Sequence, residues 1–355
     1  MDKSIDLMRV LILSISKRTG HQHAAQAVEN SFHQNFPSVH TISRNFFEYI
    51  KKPMLEKVLN KAYFSILKNT PELWDYLYNN QTIYEKTGKF RQLVNRQTFQ
   101  QYKESLEKYN PSVIICTQSF PCEVTACLKR KKDTNIPLVA IVTDFVAHAY
   151  WANPEVDLFI VPTERTKVDL MQRSIPERRI KILGLPIEQH FEDSLTLAEK
   201  RDVRTKVGLD KNLPTLLVMG GGHGFGPMKE LVETFEQSKV KCELIIVAGF
   251  NTKLRRELNQ LKKKVKIPLH IFGYVNNIHE LMSVSDILIT KPGGMTSTEA
   301  LVKRLPMIII HPLPGQEEKN SEFLVNAGAA LRFDSAGDVV TTANTLLSEP
   351  YSYLL

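Results

Sequence analysis

Residues 291–299 read K-P-G-G-M-T-S-T-E and join an apolar, strand-like run at 286–290 to a helix-like run at 296–303. A strand that ends in two glycines and opens a helix lets the backbone approach a phosphate. It also aims helix amides at an anion, and it leaves Glu299 one turn in, where its carboxylate can accept from sugar hydroxyls. Gly293, Gly294, Thr296 and Glu299 thus outline a socket for a sugar nucleotide. Taken alone, such a turn is more commonly ordinary helix punctuation.

Upstream, a second apolar run at 216–219 is followed by G-G-G-H-G-F-G at 220–226, and a helical pattern opens at Pro227. Five glycines in seven residues cannot fill a core. They predict a tight turn with exposed amides, and Gly221 and Gly222 become candidates for facing a diphosphate. No Gly-Lys-Ser/Thr follows, so the turn is not a P-loop. The next strand ends in Ala248, Gly249 and Phe250 without an acid for a ribose, so it is not a dinucleotide fingerprint either.

These two turns belong to a longer alternation. Apolar runs of strand length at 10–14, 113–117, 137–143, 158–161, 216–219, 244–247, 287–289 and 307–310 are separated by helical patterns. Buried runs joined by helices predict parallel sheets of the α/β class. The series breaks at a polar stretch, 188–210, which places a hinge near Pro186. The expected architecture is two Rossmann-like domains, 1–186 and 187–355, facing one another across a cleft.

With 355 residues, 43% hydrophobic and 24% charged, the chain is globular and long enough for two cores. Cys116, Cys122, Cys127 and Cys242 have neither metal nor redox spacing, which fits a reducing, cytosolic compartment. Arg9 interrupts the N-terminal apolar region, so no signal peptide is expected. No run approaches the ~18 residues of a membrane span. The net charge is +8. All of it lies in the first half, where residues 1–186 carry 26 basic and 18 acidic residues, and residues 187–355 carry 20 of each. Such a half suits an anionic surface, nucleic acid or membrane, and is also a common solvated face.

The first strand leads through Ser16-Lys17-Arg18-Thr19-Gly20 to His21, at the start of a helical stretch. There an imidazole sits at the carboxyl edge of the sheet, and the helix N-terminus disfavours its protonated form, which suits a general base. A cap or surface histidine is the plainer alternative. Asp144, after the run at 137–143, also falls at a strand's carboxyl end, where it can orient an imidazole or an acceptor hydroxyl; a helix N-cap is its alternative role. His148 and Trp151, three apart, fit a packed pair equally well. From Pro53, residues Met54, Leu55, Val58, Leu59, Ala62, Tyr63, Ile66 and Leu67 form a helical stripe with Lys57, Lys61 and Lys68 on another face. Aromatics Phe46, Phe47, Tyr49, Trp74, Tyr76 and Tyr78 flank it. The pattern fits a membrane-surface helix and a helix packed on its own sheet alike.

Taken together, the segments resemble the diacylglycerol glycosyltransferases, the family of plant monogalactosyldiacylglycerol synthase and the bacterial processive diacylglycerol glucosyltransferases. The resemblance runs nearly end to end. It rests on Gly20-His21 with Ala24-Ala25, on T-D-F-V-A-H-A-Y-W at 143–151 and on V-D-L-F-I-V-P-T-E at 156–164. It continues through G-L-P at 184–186, M-G-G-G-H-G at 219–224, the K-P-G-G stretch and P-L-P-G-Q-E-E-K-N at 312–320. The glycine motifs are shared with the peptidoglycan precursor N-acetylglucosaminyltransferase; the Thr-Asp-Phe segment is more specific to the lipid branch.

That resemblance implies a two-domain GT-B fold and inverting, metal-independent transfer from a UDP-sugar, with no cofactor. By position, His21 matches the proposed base, with Asp144 steering it. Gly221 and Gly222 match the diphosphate loop, Gly293, Gly294, Thr296 and Glu299 the nucleotide socket, with Glu299 on ribose. Gln316 and Glu317 match the readers of the donor sugar's hydroxyls, and Phe272, Gly273 and Tyr274 the segment whose backbone meets the uracil. The implied partners are a UDP-sugar, glucose or galactose, a diacylglycerol or other lipid acceptor, and an anionic membrane surface on the cytosolic face, with no nucleic acid. Arg18 stands where relatives usually carry glycine, so either altered acceptor access or reduced activity is expected, and 351–355 stops short of a final helix present in many relatives, so weaker domain closure is expected. Two rivals remain: an N-acetylglucosamine transferase acting on a lipid-linked peptidoglycan precursor, and a non-catalytic nucleotide-sugar-binding membrane protein.

The basic helix yields the first prediction. If the three lysines face headgroups, each contributes about 1 kcal/mol near an anionic surface. Reversing Lys57, Lys61 and Lys68 to glutamate is then expected to release the protein from anionic vesicles and to leave binding to neutral ones unchanged. Co-sedimentation measures this; equal pelleting of wild type and the folded triple variant assigns the stripe to the protein's own packing.

Overall fold

The structure is a computed structural model that describes residues 8–15, 19–51, 54 and 96–348. The Lys57, Lys61 and Lys68 face, the aromatics Trp74, Tyr76 and Tyr78, Arg18 and residues 351–355 lie outside the described residues. The chain divides into two compact units. One runs to Glu188 and includes Pro314–Gln316; the other comprises Gln189–Leu313 and Glu317–Leu355.

The first unit is built on a six-stranded parallel sheet of β1 (Arg9–Ser14), β2 (His40–Asn45), β3 (Val113–Cys116), β4 (Leu138–Ile141), β5 (Leu158–Val161) and β6 (Ile180–Ile182), in the order β2-β1-β3-β4-β5-β6. The second has β7 (Thr215–Met219), β8 (Glu243–Val247), β9 (Leu269–Phe272), β10 (Ile287–Thr290), β11 (Met307–Ile310) and β12 (Ala330–Phe333), also all parallel, in the order β12-β11-β10-β7-β8-β9.

Inner strands read as continuous apolar runs because both sheet faces are covered. In β1, Leu11 and Leu13 enter one apolar cluster while Val10 and Ile12 enter another. Period-two alternation therefore sends neighbouring residues to opposite cores, and both are apolar. The four strands missing from the sequence expectation, β2, β6, β9 and β12, are the four sheet edges. Each has one buried position at most, among half-buried or exposed ones, so none forms an apolar run. The four cysteines are buried, and none is in a disulfide.

Carboxylates pin the amino edges of both sheets. Asp157, just before β5, accepts from the Leu138 amide at 2.7 Å, and its own amide donates to the Leu138 carbonyl at 2.9 Å. Asp286, before β10, repeats the pattern with Thr215, at 2.7 and 2.8 Å. Glu243 is fully buried at the start of β8. It accepts from Thr215 Oγ1 at 2.9 Å, Arg204 Nη2 at 3.1 Å and the Asp210 amide at 3.1 Å, with His270 Nε2 at 3.2 Å. Such a charge is tolerated because it is paired and hydrogen-bonded on several sides.

The carboxyl edges are left for other work. In the first unit the chain steps from β1 to β2 and returns on the other side of β1 to β3. In the second it runs from β7 to β8 and β9, then returns to β10 on the other side of β7. At such reversals the connections diverge and leave a crevice outside the strand ends, where ligands bind in open α/β sheets. His21 follows β1, and the two glycine turns follow β7 and β10. Among the described residues no helix is long and apolar enough to cross a membrane.

Candidate active site

At the first reversal, the helix Gly20–Asn35 opens after Thr19, an extended N-cap without a side-chain cap bond. His21 is in its first turn, and its ring is held from two other strand ends. Nδ1 lies 3.1 Å from the carbonyl of Thr117, which follows β3, and 2.7 Å from Oγ1 of Thr143, which follows β4. A carbonyl only accepts, so Nδ1 carries the proton and Nε2 keeps its lone pair. The hydroxyl of Thr117 returns a bond to the His21 carbonyl at 2.8 Å, which locks helix and strand end together.

Burial lowers the His21 pKa from its ordinary value, against an upward pull from the Asp144 carboxylate and the Thr117 carbonyl. The imidazole is therefore neutral at pH 7, the form a general base requires. Asp144 is buried and lies in a bend, not at a helix start, which removes the N-cap alternative. His148 and Trp151 form the packed pair: their rings are 5.9 Å apart and Trp151 is in the core.

At the second reversal, β7 and β10 pair so that Met219 lies opposite Thr290. This register sets the two glycine turns side by side. The turn after β7 closes on itself, with the Phe225 amide on the Gly220 carbonyl at 2.9 Å; a Cβ on Gly220 would meet the Phe225 carbonyl oxygen at 1.8 Å. It also leans on the turn after β8, where a Cβ on Gly249 would come within 2.3 Å of the Gly222 carbonyl oxygen. Several of these glycines thus serve backbone packing. Gly221, at φ +64°, faces the other turn: Cε of Lys291 is 3.1 Å from where its Cβ would be.

The turn after β10 leads into the helix Gly294–Val302, which begins at Gly294 and not at Thr296 as the sequence suggested. Its first amides have no intrahelical partner and point out of the N-terminus, where an anion is stabilised. Glu299 is buried on this helix, with Thr296 half-buried nearer its start. Asn320, fully buried in the helix Gln316–Asn326, donates to the Pro292 carbonyl at 3.1 Å and ties the turn down.

Lys291 Nζ donates to Oε1 of Glu317, whose Oε2 accepts from the Leu313 amide at 3.0 Å. Gln316 opens that same helix, half-buried. At the end of β9, the Phe272 carbonyl accepts from the Ala248 amide at 2.9 Å and Gly273 lies against the turn after β8. Tyr274 stacks on Phe250, ring centroids 4.3 Å apart and 20° from parallel.

Apart from Gln316, which falls with the first unit, the candidate residues after Gln189 gather at one sheet edge, and His21 and Asp144 gather at another. Sequence reasoning passed over Thr117, Thr143, Lys291, Asn320 and Phe250. Thr117 and Thr143 were visible as the residues closing two apolar runs, and Lys291 as the cation opening the glycine turn. Among the described residues, no cluster of three or more His, Cys, Asp or Glu is arranged to hold a metal ion.

The chain matches the family model for monogalactosyldiacylglycerol (MGDG) synthase over residues 21–187 and that for the glycosyltransferase family 28 C-terminal domain over residues 215–338. It is 32% identical over 352 residues to the processive diacylglycerol β-glucosyltransferase of Bacillus subtilis (strain 168), covering 96% of this chain and 87% of that protein. The protein of the same name from Bacillus cereus (strain B4264) is 31% identical over 348 residues, covering 98% and 87%. The chain belongs to the processive diacylglycerol β-glucosyltransferase family. The first matched region begins at His21, and the second contains both glycine turns and the 312–320 segment.

Solved structures show the same fold, the two-domain α/β GT-B type. Acinetobacter baumannii MurG is 15% identical at a TM-score of 0.60, covering 96% of this chain and 91% of that one. Anabaena Alr3699/HepE in complex with UDP-glucose is 13% identical at 0.59, covering 98% and 92%. The UDP-GlcNAc 2-epimerase of Neisseria meningitidis, bound to UDP-GlcNAc, is 16% identical at 0.63, covering 98% and 93%. An epimerase shares the fold, so the reaction is argued from family and site, not from fold.

The His21 environment has a direct spectroscopic consequence. Its imidazole is expected to titrate below the ordinary histidine range, since burial outweighs the neighbours that favour the cation. Asp144→Asn removes the strongest upward pull and is expected to move the titration lower still. The His21 ring resonances followed by NMR against pH check both; an upward shift in the variant would contradict the assigned role of Asp144.

Proposed function

We propose that the chain transfers a hexosyl group from a UDP-sugar to the hydroxyl of diacylglycerol, with inversion at the anomeric carbon, in membrane glycolipid synthesis. The relationship along nearly the whole chain to enzymes named as diacylglycerol β-glucosyltransferases carries this reading, and it favours glucose over galactose. The neutral His21, with Nε2 available, supports it.

In this reaction residues 1–186 bind the acceptor and an anionic membrane surface at the cytosolic face, and residues 187–355 bind the UDP-sugar. His21 Nε2 takes the acceptor's proton. Asp144 stabilises the imidazolium that results, as its upward pull on the His21 pKa implies. Gly221, Gly222, Gly293 and Gly294 with Thr296 receive the diphosphate, whose growing charge is met by backbone amides and a helix N-terminus. Glu299 accepts from the ribose, the 272–274 segment meets the uracil, and Gln316 and Glu317 read the sugar. Neither metal nor organic cofactor is assigned to the reaction.

Product analysis tests the proposal. Incubation with dispersed diacylglycerol and labelled UDP-glucose or UDP-galactose is expected to yield labelled hexosyl-diacylglycerol, with glucose preferred. Label in a peptidoglycan lipid precursor, or UDP binding without turnover, would point to the rival functions. His21→Ala is expected to lower turnover by roughly a hundredfold to ten-thousandfold with UDP affinity near wild type; near-normal turnover at saturating donor would exclude His21 as the base.

Glu299→Ala addresses the donor socket independently of chemistry. Loss of a buried carboxylate acceptor is expected to weaken UDP binding by about 1.5 to 3 kcal/mol. Calorimetric titration of the folded variant measures it, and unchanged affinity would remove Glu299 from the site.

A further inference from the structure

The pair between Lys291 and Glu317 joins two groups with different tasks in the proposed reaction. Lys291 opens the turn after β10, and its stem runs against Gly221 in the neighbouring turn, with Nζ 3.8 Å from where a Gly221 Cβ would be. Its ammonium is 5.8 Å from the centre of the Phe225 ring in that same turn. The cation therefore lies beside both glycine turns, where the diphosphate is proposed to bind.

Glu317, proposed to read the sugar, has Oε1 engaged by that cation and Oε2 by the Leu313 amide. The two side chains retain only 18% and 12% of their exposure, so water screens the pair weakly and the contact holds. Asn320 fixes the turn that carries Lys291 to the helix that carries Glu317. Turn and helix are thus held together, and the part of the pair free to adjust is the flexible four-carbon stem of the lysine.

We propose that Lys291 and Glu317 form a donor-operated switch, in which the diphosphate of the UDP-sugar draws the Lys291 ammonium from Glu317 and frees Oε1 to accept from the sugar's hydroxyls. The inference rests on the proposed UDP-sugar reaction and adds a phosphate-binding residue and an order of recognition to it. A diphosphate carries more negative charge than one carboxylate and offers several oxygens to an ammonium with three donors, so it outcompetes Glu317 for the cation. The sugar is then read only when a diphosphate is in place. During transfer, the bond from the anomeric carbon to the diphosphate oxygen breaks with its electron pair going to UDP, the acceptor oxygen forms the new bond, and its proton goes to His21. Lys291 meets the charge that develops on the departing UDP.

Calorimetric titration of wild type, Lys291→Gln, Lys291→Arg and Glu317→Gln with uridine, UDP and UDP-glucose tests the switch, each variant first confirmed as folded by its melting transition. Lys291→Gln is expected to weaken UDP about tenfold to a hundredfold and uridine less than about threefold, as for loss of a hydrogen bond to a charged group. Lys291→Arg keeps the charge and is expected to recover most of the UDP affinity. Glu317→Gln releases the cation from its competitor: UDP binding is expected to hold or tighten, while the affinity gained from the glucosyl group falls. Equal loss of uridine and UDP in Lys291→Gln, or weakened UDP binding in Glu317→Gln, would reduce the pair to a structural brace and overturn the switch. Wild type without affinity for UDP would instead overturn the proposed function together with it, so the two failures are distinguishable.

Discussion

Parallel pairing of β7 with β10, Met219 opposite Thr290, is the constraint on which the second unit's site depends. Parallel strands bring all their carboxyl ends to one edge, and the chain reverses its direction across the sheet between these two strands. Two glycine turns some seventy residues apart in sequence are thereby made neighbours. A one-residue slip would turn the alternation over and carry the flanking side chains to the wrong faces. The amino edge guards against this. Asp286 clasps Thr215 in both directions there, and Glu243 gathers Thr215, Arg204, His270 and the Asp210 amide. One edge is pinned by carboxylates, and the other carries the glycine turns with their amides and the Lys291 cation.

Legibility in the sequence followed burial. The eight inner strands are covered on both faces and stand out as apolar runs; the edge strands β2, β6, β9 and β12 are half-wet and carry no such pattern. The V-D-L-F-I-V motif of the resemblance is explained by the same geometry. Its Asp157 holds β4 against β5 at the amino edge, far along the strand from any candidate site residue of that sheet, so a recurring motif there reports on pairing.

The candidate site was legible where a single residue type implied its own chemistry, as for His21, Glu299 and the glycines. It was illegible where the role depends on a partner distant in sequence. Nothing in Thr117 or Thr143 announces that they grip one imidazole nitrogen, because the contact is made by three strand ends that only the sheet order assembles. The glycine-rich turn was legible in kind but not in detail. Exposed amides for a phosphate explain fewer of its glycines than expected, since Gly220 and Gly224 each lie where a Cβ would strike backbone.

The same dependence on assembled geometry explains why a histidine near a helix N-terminus suits the role of base proposed for it. The helix start and burial both disfavour the imidazolium, and a base that could never accept a proton would be useless. Asp144 supplies the counterweight: buried, and close enough to pull the pKa back upward, it makes protonation of the imidazole attainable. The Thr117 carbonyl meanwhile holds the proton on Nδ1 and leaves the lone pair on Nε2. Burial alone would give a neutral histidine; burial with a facing carboxylate and a fixed tautomer gives one poised for proton transfer.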